Sequence, residues 1–330
     1  MSRSTPRVVV IAGPTATGKT AVAVELATRL GGELVGADSV QVYRGFDIGA
    51  AKPTAAELRG VPHHLIDVRD PDAPLDAMGY AALADAAIAD IAGRGRTPIV
   101  VGGTGLWLRA LLRGLVDLPP VDLGVRAALM RAVEAEGAPA LHARLASVDP
   151  RSAEAVHPND AVRVVRALEV YEQTGEALGA LRAAHALGEP RYDALTLVVD
   201  RPAQTLSGRI EARVRAMLAA GWLDEVRALR ARWGDQARAL RSVGYRQLVE
   251  HLRGERTLAE AQARAVRATR IYARRQRTWF RGEPGIDWRG EPEQVLDRDT
   301  FERVARHVGR PAGSPTGTDT PATPPAHVRS

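Results

Sequence analysis

The stretch RVVVIAGPTATGKTAVAVELATRL, residues 7–30, decides the fold. Its first part, RVVVIA, is rich in β-branched residues and reads as a strand buried on both faces. Gly13-x-x-x-x-Gly18-Lys19-Thr20 follows, and then the helical run KTAVAVELATRL. Strand, glycine loop and helix together are the full context of a P-loop. The glycines let backbone N–H groups turn inward around phosphate oxygens, and the helix N-terminus adds partial positive charge. Lys19 is suited to neutralise the outer phosphate, and the Thr20 hydroxyl to ligate Mg²⁺. Gly13, Pro14, Thr15, Ala16, Thr17, Gly18, Lys19 and Thr20 are therefore the expected phosphate site. The loop alone does not say whose phosphates it holds.

Further apolar runs at 33–37, 63–66, 98–102 and 195–200 read as parallel strands alternating with helices such as 79–93. This pattern predicts an α/β fold, a P-loop NTPase-like parallel sheet with helices on both faces. Residues 118–192 begin with LPP, hold no convincing strand and read as an all-helical insertion domain. The core is thus expected in two parts, 1–117 and 193–308, followed by a Pro/Gly/Ser/Thr-rich tail, 309–330, expected to be disordered.

The 330 residues contain no cysteine, which excludes disulfides, thiolate metal sites and a thiol nucleophile. No apolar run has the length of a membrane span, and the N-terminus lacks a signal-peptide layout, so a cytoplasmic monomer without a membrane partner is expected. Net charge is +6, which permits a polyanionic partner. Only two of the 45 basic residues are lysine, Lys19 and Lys52, and both lie in motif-like stretches.

Residues 37–53, ADSVQVYRGFDIGAAKP, put Asp38 just beyond the second strand. Ligands of open α/β sheets bind at the carboxyl ends of the strands, so Asp38 is expected to face the same crevice as the P-loop. There it could serve as a Mg²⁺ partner, a general base or merely a helix N-cap. Residues 261–281 hold seven arginines and no acid. At helical spacing Arg264, Arg267, Arg270, Arg274, Arg277 and Arg281 share one side, opposite Ala265, Ala268, Tyr272 and Trp279. An all-arginine stripe suits a phosphate backbone; the bland alternative is a basic helix paired with acids from elsewhere.

Taken in order, GPTATGKT, DSVQVYRGFDIGAAKP, PHHLIDV, VVGGTGLWLRAL, HPNDAVRVVRALEV, SVGYRQ and RRQRTWFR resemble the tRNA dimethylallyltransferase family. The match runs from about residue 7 to 289, with Trp107 where the family often has Tyr and Ala50 where GTAKP is usual. The zinc finger of eukaryotic relatives is absent, which implies the bacterial form. The resemblance implies transfer of a dimethylallyl group from its pyrophosphate to N6 of the adenosine at position 37 of tRNA, 3′ of the anticodon. The P-loop then holds an isoprenoid pyrophosphate, with Mg²⁺. Asp38, Thr104, Lys19 and Arg213 are the implied catalytic residues. The implied tRNA contacts are Asp38, Ser39, Val40, Gln41, Thr104 and Arg126, then Val162, Arg163, Val164, Val165 and Arg166. They continue with Arg241, Ser242, Val243, Gly244, Tyr245 and Arg246, and with Arg274, Arg275, Gln276, Arg277, Thr278, Trp279, Phe280 and Arg281. Tyr245 between two arginines suggests a clamp for a loop nucleotide, and the helical insertion is expected to embrace the anticodon stem-loop.

Two other readings compete. A P-loop small-molecule or nucleotide kinase fits the loop but leaves the arginine helix without a job. A nucleic-acid-driven NTPase needs a Walker-B acid, for which Asp67 in HHLID is a weak candidate.

Overall fold

The computed structural model describes residues 6–185 and 189–310. Six strands form one sheet: β1 (Arg7–Ala12), β2 (Gly32–Ala37), β3 (His63–His64), β4 (Thr97–Gly102), β5 (Asp193–Val199) and β6 (Trp288–Gly290). Their order is β3-β2-β4-β1-β5-β6 and every pairing is parallel. The strand carrying the P-loop lies between β4 and β5, with Val9 opposite Ile99 on one side and Leu195 on the other. The fold is the expected α/β class.

The strands read as continuous apolar runs because both faces are covered. Val9, Ile11, Leu34, Ile99, Val101 and Leu197 pack with Val22, Leu26 and Leu30 of the helix Lys19–Leu30. Alternation along the pleat turns Val8, Val10, Val100 and Val198 the other way, where they are equally buried. Each such side chain contributes roughly 1.5–3 kcal/mol through burial. Gly18 starts the helix and Gly31 ends it, both in the left-handed region that glycine adopts without strain.

The strand expected over 63–66 stops at His64, because Leu65 (φ 63°) and Asp67 (φ 57°) leave extended geometry. β6 has no apolar run to announce it. It is placed by its pairing with β5 and by the Asp287 carboxylate, which accepts the Thr196 amide at 2.8 Å. Of the expected tail, Gly309 and Arg310 are described; residues 311–330 lie outside the described residues.

The chain divides into two compact units. One comprises the described residues up to Leu112 and from Tyr192 onward; the other is Arg113–Arg191. The second unit is helical. Leu129, Leu141 and Leu145 of its first helices pack with Val164, Val165 and Leu168 of the helix Ala161–Thr174.

Among the described strand residues one charged side chain is buried. Glu33 of β2 is 3% exposed and accepts from both guanidinium ends of Arg94 and from His64 Nε2 at 2.8 Å. The Arg94 hydrogen bonds hold its carboxyl at about 2, against the opposing effect of burial. A depressed carboxylate stabilises the fold fully above its unfolded value and loses that contribution as pH falls through its folded value. Glu33→Gln is therefore expected to cost roughly 2–3 kcal/mol at pH 7. In denaturant titrations the difference from wild type should shrink steadily between about pH 4.5 and pH 2.

Candidate active site

The P-loop is held in its binding form by ties to its carbonyls. Pro14 O accepts from Thr17 Oγ1 at 2.9 Å and from Lys19 Nζ at 2.5 Å. Ala16 O accepts from Arg209 Nε at 2.8 Å, and Thr17 O from Arg201 Nε at 3.0 Å. Ala16 itself has φ 64°, a strained setting for a residue with a side chain. A Cβ on Gly13 would lie 2.1 Å from Val199 O, so no side chain fits there. With the carbonyls engaged, the amides of Ala16, Thr17 and Gly18 have no partner among the described residues.

The loop borders a cavity of about 600 Å³ that Lys19, Thr20, Asp38, Arg213, Tyr272 and Gln276 also line. Burial pushes Lys19 down to about 8, and Arg213 pushes the same way, while Asp38 and Asp200 draw it back up. Burial also lowers Arg213, with Asp38 opposing. Asp38 lies directly after β2. Its Oδ1 accepts the amides of Val40 at 2.9 Å and Gln41 at 3.3 Å, which fixes the carboxylate, and no hydrogen bond engages Oδ2 among the described residues. Thr104 follows β4; its Oγ1 accepts the Ser39 amide at 3.1 Å and its own amide donates to Ala37 O at 3.2 Å. The segments after β2 and β4 are thereby tied together. Gly102 permits this, since a Cβ there would lie 2.1 Å from Ala37 O.

Several expected contact residues are occupied otherwise. Val164, Val165 and Phe280 are buried in cores and present no surface. Tyr245 is 1% exposed: its ring packs against Phe46 (4.6 Å) and Trp222 (5.5 Å), and its hydroxyl donates to Glu225 at 2.7 Å. It cannot stack on a nucleotide, and Gly244 is there because a Cβ would lie 2.3 Å from Trp222. Gln41 Nε2 is spent on Ala50 O and Ala51 O, and Ser242 Oγ on Ala239 O. Trp279 lies under Arg109 at 4.2 Å. Arg126 and Arg166 share the fully buried Glu169, at 2.7 and 2.6 Å. Val162, Arg163, Arg241, Val243 and Arg246 remain exposed.

The arginine stripe is broken by acids the helical wheel cannot see. On the helix Leu258–Gly282, Arg264 pairs with Glu250 (3.4 Å), Arg270 with Glu211 (2.8 Å) and Arg277 with Asp200 (2.7 Å). No acid among the described residues pairs with Arg267, Arg274, Arg275 or Arg281. These four and Thr278 are exposed. Tyr272, expected in an apolar seam, instead lines the cavity, where burial raises its hydroxyl and Asp38 adds to the rise.

Sequence reasoning missed other parts. Glu225 accepts the amides of Asp47, Ile48 and Gly49 at 2.6–3.1 Å, holding the loop after Asp38. No sequence motif marks it. Lys52, singled out in the sequence, has a side chain only 8% exposed that clamps Tyr43 O, Asp47 and Asp67. Asp67 is thus the partner of a lysine at 2.5 Å, which removes it as a Walker-B acid. His63 lines the cavity with both ring nitrogens unpartnered, and burial pushes it down to about 4, so its imidazole is neutral.

The pattern of the IPP transferase family matches residues 41–283, and that of isopentenyl transferases residues 6–74. A protein from Anaeromyxobacter dehalogenans (strain 2CP-1) named tRNA dimethylallyltransferase is 55% identical over 298 residues, covering 90% of this chain and 97% of its own. The chain belongs to the IPP transferase family. Solved structures agree with this membership. The tRNA isopentenylpyrophosphate transferase of Bacillus halodurans superposes with a TM-score of 0.66 at 36% identity, over 92% of this chain and 97% of its own. A eukaryotic dimethylallyltransferase acting on tRNA gives a TM-score of 0.73 at 27% identity, over 93% and 80%. No described helix is long and apolar enough to cross a membrane.

Lys19 gives the site of this family member a pH signature. An anion bound beside it favours the ammonium form, so binding recharges whatever fraction is neutral. Isothermal titration with inorganic pyrophosphate at pH 8, in buffers of different ionisation enthalpy, should show uptake of up to roughly half a proton that Lys19→Met abolishes. Affinity should fall as pH rises above about 8.

Proposed function

We propose that the protein transfers a dimethylallyl group from dimethylallyl pyrophosphate to N6 of the adenosine at position 37 of tRNA, with release of pyrophosphate. The observation that carries this reading is a phosphate loop with free amides beside a fixed carboxylate whose second oxygen is open, in one cavity. An exocyclic amine is a poor nucleophile, because its lone pair is delocalised into the ring. Asp38 Oδ2 takes the N6 proton as N6 bonds to the allylic carbon, and the carbon–oxygen bond to pyrophosphate breaks. The P-loop amides, Lys19 and Arg213 receive the charge that collects on the leaving group. Thr104, whose Oγ1 accepts the Ser39 amide, is the remaining proposed catalytic group.

A Mg²⁺ ion fits this donor set. Among the described residues no three acids or histidines form a metal cage, but Mg²⁺ commonly takes few protein ligands alongside substrate phosphates and water. Thr20 would hold it, and when bound it supplies further positive charge against the pyrophosphate.

The adenosine must leave the anticodon-loop stack to reach this cavity. Arg267, Arg274, Arg275 and Arg281 are the phosphate-binding face proposed for the tRNA, and Val162 and Arg163 a second contact. Replacing Arg274 and Arg275 by Ala should flatten the log–log salt dependence of tRNA binding by about 1 per lost phosphate contact. Arg277→Ala should act differently, lowering stability, because Arg277 is tied to Asp200 and to Arg201 O.

The decisive assay supplies labelled dimethylallyl pyrophosphate and unmodified tRNA without ATP, and label should appear on the tRNA. In single-turnover form Asp38→Asn should lower the rate by roughly 10²–10⁴-fold while tRNA affinity changes little. The Asn carbonyl can still accept the Val40 and Gln41 amides, so the turn survives the change. A requirement for ATP, or a near-wild-type rate for the variant, would overturn the assignment.

A further inference from the structure

We propose that Gln276 is a positioning residue: through its single side-chain amide it holds the donor loop and the acceptor loop of the reaction centre in register. The inference rests on the transferase reading for its kinetic consequence, and on geometry alone for the tie itself.

Gln276 lies within RRQRTWFR, where Arg274, Arg275 and Arg281 are exposed, yet it is 7% exposed. Its Oε1 accepts the Thr15 amide at 2.9 Å, and its Nε2 donates to Gly103 O at 2.8 Å. Thr15 belongs to the P-loop; Gly103 precedes Thr104. A primary amide carries an acceptor and a donor side by side, so it can satisfy both backbone groups, whereas a carboxylate or a hydrocarbon cannot. The two loops leave the ends of β1 and β4, whose register closes at Ala12 opposite Gly102. The tie therefore sits one residue beyond the end of β4 and three beyond the end of β1, where sheet hydrogen bonds no longer fix the spacing.

The surroundings are shaped to it. A Cβ on Gly103 would lie 2.3 Å from Gln276 Nε2, and one on Gly105 would lie 2.3 Å from the Trp279 ring. Tyr272, one turn before Gln276, lines the same cavity. Gln276 and Trp279, three residues apart on one helical face, pack against Gly103 and Gly105. Because Thr15 N–H is taken by Gln276, the phosphate cradle starts at Ala16. Loss of the tie would free the two loops to drift relative to each other, and displacements of about 1 Å can cost about 10²-fold in rate.

The test compares Gln276→Glu and Gln276→Met with wild type in three measurements. Binding of inorganic pyrophosphate without tRNA reports the P-loop. Binding of tRNA reports the arginine face. Single-turnover transfer at saturating substrates reports the register of the two loops. Both variants should bind tRNA within about twofold of wild type, bind pyrophosphate several-fold more weakly, and transfer roughly 10–100-fold more slowly. Gln276→Glu keeps an acceptor for Thr15 but sets a carboxylate against Gly103 O and an anion in the pyrophosphate cavity, so it should bind pyrophosphate more weakly than Gln276→Met. Weakened tRNA binding with normal transfer at saturation would make Gln276 a tRNA contact and overturn the proposal. So would a lowered melting temperature with unchanged pyrophosphate affinity and rate. If Gln276→Met does not fold, Gln276→Glu alone carries the comparison, since it matches the native side chain in size. If wild type itself transfers nothing, the transferase reading fails, and the pyrophosphate measurement still decides the tie.

Discussion

A loop that turns its amides inward around an anion must find partners for its carbonyls. Here Pro14 O, Ala16 O and Thr17 O are taken by Lys19 and Thr17, by Arg209 and by Arg201. Three of the four donors are side-chain cations, so the groups that hold the loop open also raise the positive potential around it. The cost is borne by Lys19, which burial lowers to about 8 against the pull of Asp38 and Asp200. Ligand binding then relieves a strain that is electrostatic as much as steric.

Arginine suits this arrangement because its planar fork can serve two partners at once. Arg201 bonds to Thr17 O and also pairs with Glu291 and Glu293. Arg277 bonds to Asp200 and to Arg201 O. The phosphate loop is thus supported by a chain of guanidinium groups running from β5 to the helix Leu258–Gly282. Lysine appears where a compact charge is needed, in the loop and in the clamp among Tyr43 O, Asp47 and Asp67.

Local signals carried the sheet and the loop into view. RVVVIA and GPTATGKT are contiguous, and their periodicity and glycines need no distant partner to be read. What stayed hidden depends on contacts between residues far apart in the chain. β6 exists because β5 offers an edge, not because WRG prefers extension. The arginine stripe looked unbroken because Glu250, Glu211 and Asp200 come from other elements. Tyr245 looked like a clamp because its neighbours Phe46 and Trp222 are remote in sequence. At the site, Asp38 was legible from its place after a strand, but the split between an anchored and an open carboxylate oxygen was not. The amides that Oδ1 accepts belong to a turn and not to a helix, so the helix-cap reading of Asp38 gives way to a turn anchor, and the open Oδ2 is the atom the proposed base role uses.

Glu225 has a consequence of another kind. Its carboxylate gathers three successive amides, those of Asp47, Ile48 and Gly49, and the Tyr245 hydroxyl. Loop amides normally exchange their hydrogens with water quickly, since nothing hides them. These three are bonded to one acceptor that is itself joined to a buried aromatic cluster. They open when the Glu225 carboxylate lets go, so in deuterium labelling this irregular segment should exchange more slowly than a free loop.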